Sequence, residues 1–255
     1  MLLFCSKPVS EKSVNREPHT FFTLIFAVFV LNWIACSQPT DKQTVTASAK
    51  TGVLNAAFLC VDGVYNSELM APYDVLQHSV FRDSSNYIRC FIVTPDGKPF
   101  VTFEGITITP HYAFDNAPEV NILVIPSTET SMSADLENEA YMGWVKKIVQ
   151  DADWVITACD GAFPLAATGV LDGRTATTFP GDRARFAEMF PQIDVRHDVN
   201  FAADGKFITS VGGGLSYEPA LYLVETIYSK KHAQLTAQGL VWNWDLSKIP
   251  HVVVK

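Results

Sequence analysis

Cys159 lies in "VITACDGAFPLAATGVLDG" (155–173), where an apolar run ends at the thiol and Asp160-Gly161 lead into a helix-forming stretch. A strand-to-helix turn of the form x-Cys-x-Gly has the build of a nucleophile elbow. Its tip residue takes a strained backbone, and the glycine two positions on lets the helix pack against the strand. In such a turn the thiol faces the positive end of the following helix, which favours the thiolate. The Asp160 amide would then point towards an oxyanion on any group bound to the sulfur. On pattern alone a strand-end cysteine is more often a small buried hydrophobe than a nucleophile, and spacing leaves both readings open.

The elements that would position this turn follow from hydrophobic periodicity. "VLNAAFLCV" (53–61) is a continuous apolar run, expected of a strand buried on both faces. "ELMAPYDVLQHSVF" (68–81) is helical, with Leu69, Tyr73, Leu76 and Val80 on one stripe. "YIRCFIVT" (87–94) is a second strand ending at the turn Pro95-Asp96-Gly97, and "KPFVTFEGITITP" is a hairpin turning at Glu104-Gly105. "NILVIP" (121–126) is a third central strand, "ADLENEAYMGWVKKIVQDA" (134–152) one long amphipathic helix, and "WVITAC" a fourth strand. Helices over 161–170 and 182–190 flank "TATTF", and "GKFITSVGGG" (205–214) is the last strand, entering a closing helix at "LSYEPALYLVETIYSKK". Strands alternating with helices predict an α/β, three-layer sandwich with a mostly parallel sheet. Sites in such sheets gather at the carboxyl ends of the strands, where the loop 62–68, the turn 126–130 and the Cys159 turn would meet.

The chain has 255 residues, 48% hydrophobic and 18% charged, a globular composition. Its formal net charge of −8, with no Lys/Arg cluster, excludes the electrostatic footprint of a nucleic-acid binder. The apolar content peaks early: Lys7, Lys12 and Arg16 precede an uncharged stretch, residues 21–36, whose core suits a signal peptide. The stretch closes on Trp33-Ile34-Ala35-Cys36-Ser37, which resembles a bacterial lipobox with Trp33 in place of the usual leucine. Residues 1–35 are therefore read as a signal peptide and Cys36 as the lipidation site, with an uncleaved anchor as the alternative. The polar segment 36–51 is a tether. Either way the domain is exported to the bacterial envelope and held at the membrane. Cys60 and Cys90 fall in apolar runs as buried thiols, and a disulfide between them is left open. No Cys-x-x-Cys or paired-histidine spacing marks a metal site, and no cofactor is expected.

"ACDGAFPLAATGVLDGRTATT" resembles the elbow region of the ThiJ/PfpI family, within the class I glutamine-amidotransferase-like fold, and in look is nearest to its AraC-regulator-associated and isonitrile-hydratase-like branches. "DGVYNSELMAPYDVL" is similar to the family segment whose acidic residue lies beside the elbow cysteine; here that acid is Glu68, four residues before Pro72, with Asp74 in the helix beyond. "DGKFITSVGGG" resembles the family's penultimate strand and glycine-rich entry to the last helix. The resemblance covers residues 53–230, giving a domain at 52–230 and a C-terminal extension at 231–255. It implies a flavodoxin-like sheet and a catalytic pair, Cys159 and Glu68, with Asp160, Gly161 and Thr128 around an oxyanion or ligand and the Thr128 amide as second donor. In relatives such a pair supports isonitrile hydration or chemistry on reactive carbonyls, and it also stabilises an oxidised cysteine.

Two departures qualify the resemblance. Phe179 stands where the family often has histidine after "ATT", and Ser127-Thr128 replace glycines that many relatives carry. No histidine matches a triad position; His78 and His197 read as surface or structural. Without the resemblance, Glu68 is a helix N-terminal charge, and "SVGGG" is a tight strand–helix junction or an anion-binding nest. The function expected is a small-molecule enzyme of hydratase, lyase or hydrolase type, acting on an isonitrile, reactive carbonyl or amide. The alternative is a non-catalytic ligand-binding or redox-sensing domain. The tail 231–255 is too short and too apolar-aromatic for a helix-turn-helix pair. It is expected to pack on the domain or at a homodimer interface, anchored by Trp242 and Trp244.

Overall fold

The computed structural model describes residues 52–254; the segment 1–35, Cys36 and the tether to residue 51 lie outside the described residues. β1 (Leu54–Leu59) runs into α1 (Asn66–Gln77), and a 3-10 turn, His78–Phe81, leads on to β2 (Ile88–Thr94). The hairpin is β3 (Phe100–Val101) paired antiparallel with β4 (Thr107–Ile108). Next come β5 (Tyr112–Ala113), β6 (Ile122–Ile125), α2 (Ala134–Glu137), α3 (Glu139–Asp151) and β7 (Trp154–Ala158). A 3-10 turn, Cys159–Gly161, opens α4 (Ala162–Ala167), and β8 (Thr175–Ala176), α5 (Arg183–Met189) and β9 (Asp194–Val195) follow. The chain then forms β10 (Phe201–Asp204), β11 (Phe207–Ser210), α6 (Tyr217–Ile227), α7 (Lys230–Gly239) and β12 (His251–Val254).

One eight-stranded sheet in the order β12-β10-β11-β7-β6-β1-β2-β5 carries the domain. From β5 to β11 every pairing is parallel; β10 runs antiparallel to β11, and β12 parallel to β10. The fold is thus a mostly parallel α/β sheet. Its strands read as unbroken apolar runs because both faces are covered. On β1, Ala56 and Phe58 pack with Leu69 and Val75 of α1 and Leu221 and Val224 of α6. Ala57 and Leu59, alternating to the other face, pack with Val145 and Val149 of α3 and Phe163 of α4. Among the described residues no helix is long and apolar enough to cross a membrane.

Three expectations needed correction. The helix predicted over 134–152 is two, because Asn138 turns extended (φ −78°, ψ 100°) and its side chain accepts the Tyr141 amide as an N-cap. The strand predicted over 205–214 shortens to β11 and is not the last. It forms a hairpin with β10, whose Gly205 turn has φ 61°, and β12 extends the sheet beyond β10. α7 also lies in the segment read only as a tail. That segment is fastened by Trp244, whose Nε1 donates to Glu225 Oε2 at 2.7 Å, and by Trp242, whose ring lies 4.7 Å from Tyr217.

Trp244→Ala should therefore lower stability by about 3–5 kcal/mol, the usual cost of emptying a buried aromatic site. Chemical denaturation of wild type and variant would measure this, and an unchanged midpoint would mean that the tail does not hold the core.

Candidate active site

Four strand ends supply the site. The elbow is strained as expected: Cys159 has φ 52°, and Val241 is the only other non-glycine residue with positive φ among the described residues. Such a backbone costs about 1–2 kcal/mol for an L-residue, and neighbouring contacts hold it. Thr178 Oγ1 donates to the Cys159 carbonyl at 2.9 Å, and Ser210 Oγ donates to the Thr157 carbonyl at 2.9 Å. Gly161 makes the elbow sterically possible, since a Cβ there would lie 2.1 Å from the Ile125 carbonyl oxygen at the end of β6. Gly212, after β11, has φ 77°, and a Cβ there would lie 2.4 Å from Cys159 Cβ and 2.8 Å from Glu68 Oε1. Cysteine, carboxylate and glycine backbone therefore converge on one point.

Glu68, in the first turn of α1, is only 4% exposed. Its Oε2 accepts the Ser127 amide at 3.0 Å and the Ser127 hydroxyl at 2.5 Å, and its Oε1 accepts the Gly213 amide at 3.1 Å. Both readings of "SVGGG" thus hold in part: the junction is tight at Gly212, and the anion received at Gly213 is the protein's own carboxylate. The start of α1 is itself held from outside, since the Glu104 carboxylate of the β3–β4 hairpin accepts the Asn66 amide at 3.0 Å.

The Cys159 thiol is 8% exposed. Burial pushes its pKa well up, the charges of Glu68 and Asp160 push it further, and hydrogen bonds from Ser127 and the Asp160 amide offset only part of this. The sulfur therefore rests as a thiol, and the helix-end stabilisation of a thiolate expected from the elbow does not prevail. The Asp160 amide does lie at the sulfur. The Thr128 amide, expected as a second oxyanion donor, is already engaged: it donates to Ser131 Oγ at 2.8 Å, while Thr128 Oγ1 donates to Asp135 Oδ2 at 2.5 Å. Its turn closes on itself, so Thr128 serves the β6 loop and not the sulfur.

The side chain of Asp160 was not anticipated. Burial, then the neighbouring Asp182 carboxylate, raise its pKa to about 6 against a hydrogen bond from Thr178. Tyr65 is a second addition: its hydroxyl pKa is raised by burial and by the charges of Glu129, Cys159, Glu68 and Asp160, and its ring lies 4.7 Å from Phe103. Phe179, at the position where histidine was sought, is 45% exposed. His78 Nδ1 lies 2.7 Å from the Asp74 carbonyl, His111 Nδ1 accepts the Ile92 amide, and the His197 carbonyl accepts from Arg183. Cys60 and Cys90 are buried free thiols.

A family model described as the DJ-1/PfpI family matches residues 54–226. The chain belongs to the DJ-1/PfpI family. It is 25% identical over 185 residues to the isonitrile hydratase of Pseudomonas putida, spanning 71% of this chain and 75% of that protein. It is also 25% identical over 160 residues to the HTH-type transcriptional regulator CdhR of Pseudomonas aeruginosa, of which it spans 47%. The crystal structure of a ThiJ/PfpI family protein from Pseudomonas syringae superposes with a TM-score of 0.68 at 18% identity, over 84% of this chain and 85% of that one. The structural likeness agrees with the mostly parallel α/β fold described above.

The raised carboxyl of Asp160 has a signed consequence for stability. Its pKa is higher in the folded chain than in the unfolded one, so its contribution is full below about pH 4 and is lost as pH rises through about 6. The stability of wild type relative to Asp160→Asn should accordingly fall between about pH 4 and 7. Urea unfolding of both proteins across that range would measure it, and a flat difference would show that Asp160 is not held in this way.

Proposed function

We propose that this DJ-1/PfpI protein is a cysteine-dependent enzyme of hydratase, lyase or hydrolase type, acting on an isonitrile, reactive carbonyl or amide. The observation that carries the reading is the buried carboxylate of Glu68, both oxygens fixed by Ser127 and Gly213, beside a thiol kept protonated at an elbow. A thiol adds slowly to carbon unless its proton leaves as the bond forms. Glu68 is placed to take that proton, so the carbon–sulfur bond, the proton transfer and the shift of the substrate's electron pair proceed together. The Asp160 amide at the sulfur supports the charge that gathers on the adduct. No histidine is required for this sequence.

A redox sensor is the weaker use of the same site. Oxidation by peroxide runs through a standing thiolate, and here burial and two carboxylates oppose one. The export reading belongs to the same proposal: a lipid on Cys36, or an uncleaved anchor, would hold the domain at the envelope as a homodimer. Lys7, Lys12, Arg16 and the apolar stretch after them support it.

The purified full chain should turn over at least one of methylglyoxal, an aryl isonitrile or a simple amide. Cys159→Ala should abolish that turnover, and Glu68→Gln should lower it by about 10²–10⁴-fold, the usual range for a lost acid–base group. Equal rates in wild type and Cys159→Ala would remove the mechanism. Lipid labelling in cells should mark wild type but not Cys36→Ser; label on both proteins, or on neither, would count against lipidation at Cys36.

A further inference from the structure

The stretch 62–68 is stitched to the β3–β4 hairpin and to the turn after β6. Gly63 donates to the Val101 carbonyl at 2.8 Å, Phe103 to Val64 at 3.0 Å, Tyr65 to Ser127 at 3.2 Å and Glu129 to Gly63 at 3.2 Å. Three apolar side chains at this rim stay in water: Phe103, Phe179 and Leu215 are 52%, 45% and 37% exposed. Each is tied to the cysteine or its carboxylate. Phe103 lies on the ring of Tyr65, whose carbonyl accepts the Glu68 amide. Phe179 follows Thr178, which holds the Cys159 carbonyl. Leu215 donates its amide to Gly212, the residue packed against Cys159 and Glu68. The Phe179 ring is seated on Gly181, where a β-carbon would lie 3.0 Å from it, and its carbonyl accepts the Asp182 amide at 3.0 Å. One exposed apolar residue is ordinary; three from separate segments gathered round one thiol are a contact surface.

Charge at the rim has one sign. The segments 62–68, 101–106, 127–131, 159–161, 177–183 and 211–216 carry the carboxyl groups of Asp62, Glu68, Glu104, Glu129, Asp160 and Asp182, and a single cation, Arg183. That guanidinium is buried and donates to the Thr177 hydroxyl at 3.1 Å, the His197 carbonyl at 2.7 Å and the Val199 carbonyl at 2.9 Å. It is committed to the protein's own oxygens. Glu129 is exposed and lies over Gly63, where a β-carbon would sit 3.2 Å from its Oε2. A cleft lined by one sign of charge lowers the local concentration of ligands of that sign.

Resting on the enzymatic reading, we infer that the electrophile taken by Cys159 carries an uncharged apolar substituent, aromatic or branched aliphatic, and no carboxylate or phosphate. Phe103, Phe179 and Leu215 are the specificity-determining residues for that substituent, and the rim carboxylates, Glu129 foremost, hold anionic electrophiles away. Covering rings that water now wets is favourable in proportion to the area buried. A carboxylate in the same place would meet like charge, with no uncommitted cation among these segments to answer it. At position 179, a ring that takes no proton stands where histidine was sought, and it offers contact area instead.

The test reads alkylation of Cys159 in the full chain by peptide mass spectrometry, so turnover is not needed. Iodoacetamide and iodoacetate deliver the same carbon and leaving group and differ in charge; 2-bromoacetophenone adds an aromatic ring. Each rate is divided by that of the same reagent with 2-mercaptoethanol, which removes intrinsic reactivity. Normalised iodoacetamide should outrun iodoacetate about tenfold or more at low salt, and the gap should narrow in about 1 M NaCl and in Glu129→Gln. Normalised 2-bromoacetophenone should outrun iodoacetamide. Phe103→Ala and Phe179→Ala should each cut that lead about threefold or more and leave the iodoacetamide rate unchanged. With substrates, the same variants should raise KM for phenylglyoxal and not for methylglyoxal. Equal normalised rates for iodoacetate and iodoacetamide, or a gap that salt does not narrow, would overturn the inference. So would an aromatic lead that neither alanine variant reduces, or no alkylation of Cys159 by any of the three reagents. Full turnover by Cys159→Ala would sink the enzymatic reading instead. Turnover lost in Cys159→Ala, together with any of those alkylation results, would remove this inference alone.

Discussion

A buried carboxylate without partners would cost several kcal/mol, and the domain is arranged so that Glu68 never lacks them. One oxygen is held by the amide and hydroxyl of Ser127 just beyond β6, the other by the amide of Gly213 beyond β11, while its own backbone starts α1. The Cys159 turn at the end of β7 lies against the same point through Gly212. These bonds tie segments far apart in sequence to one side chain. A shift of any of them leaves either the carboxylate or a strained cysteine unsupported. The strain at Cys159 is thus held by strand ends together with Thr178 beyond β8.

The same arrangement explains the thiol. A helix N-terminus and a nearby amide favour a thiolate, whereas burial and two carboxylates oppose it, and the opposing effects prevail. The result is a sulfur that rests as a thiol. That protects the residue, since inadvertent oxidation also runs through the thiolate.

The sheet was legible because its central strands are unbroken apolar runs, and the elbow because Cys159, Asp160 and Gly161 stand together. Gly161 was read as part of the site, and its role is clearance against β6. β10 was missed because "FAAD" is short and its burial depends on β12, whose "HVVV" gains its partner only through space. Asn138 turns extended and its side chain caps the start of α3, although helical periodicity continues through it. Asp182 lies 22 positions after Asp160, and nothing local marks the two as neighbours. The Thr128 amide was assigned from the position of its turn, but Ser131, three residues on, already holds it. Periodicity reports faces and turns; it does not report which polar groups meet across them.

The β3–β4 hairpin touches the site through Phe103 on Tyr65 and is stitched to the chain that leads into α1. Gly63 donates to Val101, Val101 to Asp62, Phe103 to Val64, and Asn66 to Glu104. Its tip, around Glu104-Gly105, is exposed, and exposed tips are where proteases cut first. A single nick there would release the cap from the first turn of α1 and loosen the backbone that carries Glu68. The protein would keep its sheet, its core and an intact cysteine while losing the fixed carboxyl group beside it. A cut outside the site would thus reach Glu68 through the backbone of α1.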